Sequence, residues 1–328
     1  MTTVRLPLVI AVLIALLVGA VALSLMVGAA SLADAGLRSA LLELRGLRCG
    51  AAALAGAALA VAGVLVQGLF RNPLASPSIL GTTAGANLGG QVALFAHGAL
   101  AGVLPLWVAP EMELPLGCLV GAGLALMLVL AFAGRGEDTV AILLAGFILS
   151  TLFASIGAFL QAQTQESWLL GRAMLAFALG GVDGKGLRHL ALAAPLVLAG
   201  IAAAWVWGRH LDLLLSGEDE AAALGVEVAS ARRWILAWTA LLTAAAVALA
   251  GGIAFVGLVV PHALRPFTGV EHRRLVPAAA LGGAAFLVLA DTAARCLPHG
   301  EVPLGVVTGL IGGPLVLAIL VRMRRELA

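Results

Sequence analysis

Charge is scarce in this sequence. Only 11% of its 328 residues are Asp, Glu, Lys or Arg, against 62% hydrophobic, and the mean hydropathy is +1.10. Soluble domains carry about a quarter charged residues, and a chain this poor in them cannot cover its own surface with polar groups in water. An all-α polytopic membrane protein is indicated. The net charge of +2, with no long Lys/Arg run, leaves no basis for a nucleic-acid partner. A GxxxxGK[ST] phosphate loop is missing, so the chain is not expected to bind or hydrolyse ATP. HExxH, G-x-S-x-G and any cluster of His with carboxylates are missing too, so no catalytic residue, metal site or resident cofactor is expected.

Other scarcities narrow the class further. The three cysteines (Cys49, Cys118 and Cys296) form no CxxC and read as small packing residues; whether Cys49 and Cys296 meet stays open. The six histidines are dispersed, mostly at predicted helix ends. Ion-coupled carriers keep ionisable groups deep in the bilayer. Here Asp291 is the one carboxylate within a predicted span, four residues before Arg295, where an i,i+4 pair neutralises it. A secondary carrier thereby loses support.

What the chain does have is apolar length. About twenty apolar residues cross a bilayer as a helix, and such runs occupy 6–30, 51–69, 115–133, 139–160, 189–207, 275–290 and 302–321. The first is too long for a signal-peptide core and reads as a span. Two further stretches, Arg71 to Glu111 and Arg233 to Arg265, lack internal charge but are broken by Gly and Pro. Read as a span with an interfacial segment and as two short spans, they bring the count to nine or ten helices in one domain, 1–328. With ten spans and both ends inside, 12 Lys/Arg fall on the inner face and 7 on the outer, the direction of the positive-inside bias. Arg45, Arg48 and Arg295 are among the outer ones.

Two local patterns stand out. The 210–233 loop is the longest strongly polar stretch, and within it Ser216 is expected to cap a short helix through Glu218, Asp219 and Glu220 to Leu224, with Gly225 as its stop. Segments RNPLASPSILGTTAGA (71–86) and GIAFVGLVVPHALR (252–265) interrupt hydrophobic runs. Broken backbone in a membrane must be buried in protein or face a water-filled path.

Taken in order, RGLR (45–48) with GAALAVAGVLVQ (56–67), RNPLASPSILG (71–81), SGEDEAAALGV (216–226), FVGLVVPHALR (255–265), ADTAAR (290–295) and EVPLGVVTGLIGGP (301–314) resemble the permeases of ABC importers for ferric siderophores, haem and cobalamin. The resemblance covers nearly the whole chain. Leu47 stands where the family has Pro, and FALGG (177–181) where it has W-L-L-G-S. The second departure bears on ligand or partner preference at the outer side.

The resemblance implies a ten-helix type II importer subunit with inverted repeats in the bacterial inner membrane, acting as a homodimer with two ABC ATPase subunits that carry ATP and Mg. It implies that Ser216, Gly217, Glu218, Asp219, Glu220, Ala223, Leu224 and Gly225 dock the ATPase. It also implies that Arg45, Arg48 and Arg295 meet acidic residues of a periplasmic substrate-binding protein. The path is expected near Thr82, Thr83, Thr139, Phe147 and Ser150. Haem or a related iron chelate is the expected cargo, with siderophores and cobalamin as alternatives.

Overall fold

The computed structural model describes residues 6–28, 36–100, 110–133, 139–164, 167–296 and 302–327. Among these there are helices and turns and no strand. The first half holds α1 (Leu6–Met26), α2 (Arg38–Leu69), α3 (Thr82–Leu100), α4 (Glu113–Ala133), α5 (Thr139–Ala162) and α6 (Trp168–Leu179). The second holds α7 (Leu187–Leu214), α8 (Glu218–Ala223), α9 (Val228–Ala250), α10 (Val256–Thr268), α11 (His272–Arg295) and α12 (Leu304–Leu327). Eight of them (α1, α2, α4, α5, α7, α9, α11 and α12) are long and apolar enough to cross a membrane. The other two expected spans are α3 and α10, while α6 is a short apolar helix that hydropathy did not separate from its neighbours.

Three of the long helices, α2, α9 and α11, are mostly buried; the remaining five have only 22–28% of their spans buried within the subunit. Composition explains the split. From Ala51 to Gly68, α2 is almost wholly buried, and most of its residues are Ala, Gly or Val. Small side chains let backbones approach closely, which is how helices associate where lipid removes the hydrophobic drive between them. A Cβ added at Gly63 would sit on the carbonyl of Gly257 in α10, and one at Gly89 in α3 on the carbonyl of Gly117 in α4. On the outer helices, Leu8, Val12, Phe132, Leu144 and Phe147 point away from the bundle, as side chains facing acyl chains or a second subunit do.

Several helices run past the apolar runs. α2 begins at Arg38, thirteen residues ahead of the run starting at 51, and carries Glu43, Arg45 and Arg48 in its first turns. α7 continues beyond 207 to include Asp212. The α7 extension is held by polar contacts to another helix: Asp212 Oδ1 lies 2.6 Å from His272 Nδ1 and also accepts the His272 backbone N–H at 3.0 Å. This contact fastens the end of α7 to the start of α11.

Candidate functional site

Among the described residues, chemistry-bearing side chains converge at the α7–α9 connection, at the Gly/Pro-broken segments, and at the end of the bundle that gathers the arginines. At 28 residues, α7 is about 42 Å long, and the first and last of these places lie at its opposite ends.

At the α7–α9 connection, α8 is a single and a half turns long with Glu218, Asp219 and Glu220 in its first turn, where the helix dipole favours negative charge. All three are exposed, whereas Ala221 and Val226 are buried and root the segment in the core. Glu218 is tied back by Arg232 at 2.6 Å. Ser216 does not cap this helix. The N-cap is Gly217, with no side-chain cap bond, because Ser216 still belongs to the turn that closes α7, its N–H donating to Leu213 O at 3.2 Å. The stop is as expected. Gly225 adopts φ +86, its N–H donates to Ala222 O at 2.9 Å, and Val226 N–H donates to Ala221 O at 3.0 Å. This is the paired closure that needs a left-handed residue at that position. Leu224, 65% exposed, projects beside the acidic turn.

The two broken segments meet. After α2, Asn72 Oδ1 accepts Leu74 N–H at 2.9 Å, and Ser76 Oγ accepts Ser78 N–H at 3.4 Å to open the short 3-10 turn Pro77–Leu80. The backbone between α9 and α10 is unwound, and Phe255 has φ +67. A bulky residue in the left-handed region is costly and marks functional segments. Together the segments line a cleft of about 220 Å³ that includes Ser76, Ser78, Thr83, Ala254 and Phe255. Pro261 inside α10 has no N–H to give the carbonyl of Gly257. Gln67 supplies the substitute, its amide donating to Gly257 O at 3.4 Å and Leu258 O at 3.3 Å, while Arg265 donates to Gln67 Oε1 at 3.1 Å.

Of the expected path residues, Thr83 lines this cleft. Thr82 does not: it is fully buried, and its hydroxyl donates to Pro77 O at 3.4 Å. Ser150 braces α5 against the 3-10 turn by donating to Ser78 O at 3.3 Å, and Phe147 faces outward from the same helix. Thr139 opens α5, and its side chain lies outside the described set. Phe255 and Gln67 were missed as site residues; the Gly/Pro break around Phe255 was their available signal.

At the arginine end, Arg45 is 7% exposed, and the side chains of Arg48 and Arg295 are 16% and 5% exposed, each engaged by partners within the chain. Arg45 donates to Leu25 O at 2.8 Å and Met26 O at 3.4 Å, and Arg295 to Val27 O at 3.1 Å and to the Ser24 hydroxyl. Both cations satisfy carbonyls left over at the C-terminus of α1, where the helix dipole favours them. Asp291, 1% exposed, pairs with Arg295 at 3.2 Å as its spacing predicted. It also accepts from Arg48: Nε is 3.0 Å from both oxygens and Nη2 is 2.9 Å from Oδ1. Arg48 reaches a second carboxylate, the exposed Asp183 of the 180–186 connection. Cys49 is buried with its thiol 3.1 Å from the Ser24 hydroxyl, Cys296 is exposed, and both are free.

A cleft of about 450 Å³ at this end brings together Arg45, Arg48, Asp183, Lys185 and Arg295. Burial pulls the Lys185 ammonium below its usual pKa, against the opposing influence of Cys118 and Asp183. A neighbouring chamber of about 660 Å³ shares Arg48, Asp183 and Lys185 and adds Arg172 from α6. Positions that hydropathy assigned to one side of the membrane are thus gathered at one end of the fold.

Residues 7–322 match the model of the FecCD transport family. The chain belongs to that family. It is 40% identical to the Fe(3+) dicitrate transport system permease protein FecD of Escherichia coli over 87% of this chain and 86% of that protein. The cobalamin import system permease protein BtuC of Halobacterium salinarum is 38% identical over 82% and 69%. The hemin transport system permease protein HmuU of Yersinia pestis is 37% identical over 87% and 84%. A solved inward-facing ABC transporter of metal-chelate type superposes with a TM-score of 0.84 at 30% identity, covering 96% of this chain and 99% of that one. The protein is a multi-pass membrane permease of this family.

Proposed function

We propose that the chain carries haem or a related iron chelate from periplasm to cytoplasm, as a homodimer with two ATPase subunits in a bacterial inner membrane. The observation that carries the reading is α8: a short helix rooted by Ala221 and Val226, closed by a left-handed Gly225, and presenting Glu218, Asp219, Glu220 and Leu224 outward. An exposed acidic turn beside an exposed leucine, on a rigid mount, suits a docking contact for a motor subunit. A periplasmic binding protein would deliver cargo at the opposite end, in the cleft around Arg45, Arg48 and Lys185.

Cargo of the chelate class is supported by relatives whose names span ferric dicitrate, hemin and cobalamin at 37% to 40% identity, and by a cleft of hydroxyls and apolar groups at the broken segments. An ion-coupled carrier is disfavoured because Asp291 is held by two arginines. The test is reconstitution with an ATPase and a binding protein, comparing ATP hydrolysis and uptake with hemin, a ferric siderophore and cobalamin. Hemin is expected to stimulate most, and the purified chain alone to hydrolyse no ATP. Stimulation by cobalamin alone would reassign the cargo, and uptake driven by an ion gradient without ATP would overturn the class.

A further inference from the structure

Arg48 holds two carboxylates of opposite character. Asp291 is 1% exposed and bound through three N–H···O contacts; Asp183 is 59% exposed and bound from the solvent side. We infer that Asp183 is a built-in stand-in for the carboxylate of an acidic docking protein, occupying Arg48 in the free permease and yielding it when the partner's Glu or Asp arrives. The inference rests on the docking reading above.

The surroundings are built for such an exchange. Among the described residues, the cleft presents Arg45, Arg48, Lys185 and Arg295 against Asp183, with Asp291 beneath, four cations to two carboxylates. Among these residues an incoming carboxylate meets more cations than carboxylates even before Asp183 leaves. The segment bearing Asp183 reads GGVDGKG, with glycine at four of seven positions. It is held at its start, where Gly181 N–H donates to Ala250 O and Leu304 N–H to Gly180 O, both at 2.9 Å, and Val182 is fully buried, and at its end, where Gly186 caps α7 and its N–H donates to His189 Nδ1 at 3.2 Å. Between those anchors, Gly184 has φ +67, and a Cβ placed there would meet nothing within 4 Å. Asp183 can swing outward without displacing a helix. Its departure leaves Arg48 in place, because Asp291 fixes the guanidinium from below.

An internal competitor lowers apparent affinity by the fraction of time it occupies the site. An exposed ion pair is worth at most about fivefold in an equilibrium constant. The experiment uses the permease in lipid nanodiscs and a fluorescein-labelled peptide containing three glutamates, with its glutamine counterpart as control, at low salt. Asp183→Asn should tighten the glutamate peptide about fivefold and leave the glutamine peptide unchanged. Lys185→Gln, which removes a cleft cation outside the buried network, should weaken the glutamate peptide. Thermal midpoints of both variants are measured in parallel to show that they fold. If Asp183→Asn leaves affinity unchanged while Lys185→Gln weakens it, the cleft still docks an acidic partner and the stand-in role is wrong. Equal tightening of both peptides would also overturn it. If neither substitution changes binding of the glutamate peptide, the docking reading itself falls and takes the inference with it.

Discussion

At one end of α7, acidic side chains stand in solvent on a short helix whose own backbone closes it; at the other, three arginines are drawn inward and spent on carbonyls and a buried aspartate. Both ends carry charge where the chain leaves the bilayer-length helices, yet the charges do different work. Around α8, Asp219 and Glu220 stand exposed toward a partner, while Glu218 is tied back to Arg232. Around Asp291 they close the ends of α1, α2 and α11, and a partner reaches them only through what is left over. Exposed charge is a signal; buried charge is structure first.

The contrast is sharpest under substitution. Asp291→Ala should be the most damaging change, because removing one member of a buried ionic cluster leaves uncompensated charge and costs about 3–5 kcal/mol. We expect loss of monodisperse protein in detergent, followed by size-exclusion fluorescence against temperature. Arg45→Gln comes next, costing about 1.5–3 kcal/mol as charged hydrogen bonds to the end of α1 are lost, read as a lower thermal midpoint. Charge reversal at Arg48 would set a third carboxylate beside Asp291 and Asp183, so lost uptake in such a variant reports folding as much as docking.

Gly225→Val should cost about 1–2 kcal/mol, the penalty for a side chain in the left-handed region. It should nevertheless abolish ATP-driven uptake in reconstituted vesicles while the permease still purifies. Unchanged uptake would remove α8 as the contact that transmits energy. The smallest effect is expected at the pair of exposed Arg188 with half-buried Glu111, 3.0 Å apart. Its carboxyl is held below the usual range by a backbone hydrogen bond and by Arg188. Any contribution is present at neutral pH and fades as pH falls through the carboxylate range. Arg188→Gln should leave the thermal midpoint at pH 7 unmoved, and a large fall would show that exposed charge at this end is structural as well.

The same contrast governs what the sequence made legible. The α8 stop is local: acids, three alanines and a glycine within eight residues suffice, and Gly225 could be named from them. Apolar runs likewise gave the spans, since bilayer thickness sets their length. Ser216 failed as a cap because α7 runs on past its apolar run, held by Asp212 and His272 from another helix. The arginines looked exposed because their partners are distant: Arg48 and Asp291 are 243 positions apart, and no local pattern announces such a pair. Thr82 and Thr83 could not be told apart either, since which hydroxyl turns inward depends on how the 3-10 turn meets α3.

The Arg48–Asp291 pair also sets a timetable for biogenesis. Ribosomes add about 5–20 residues per second, so the 243 positions between the partners correspond to about 10–50 s of synthesis. Throughout that interval α2 waits in the membrane with Arg48 unmatched by Asp291, and α11 then enters bearing an aspartate four residues from its end, where the charge costs less than the roughly 3 kcal/mol of a helix centre. The late helix therefore completes a pair begun long before it. That pairing depends on an early helix still being near the insertion machinery or free to diffuse to it, and a chain severed between them would have to re-form in the plane of the bilayer what uninterrupted translation supplies by proximity.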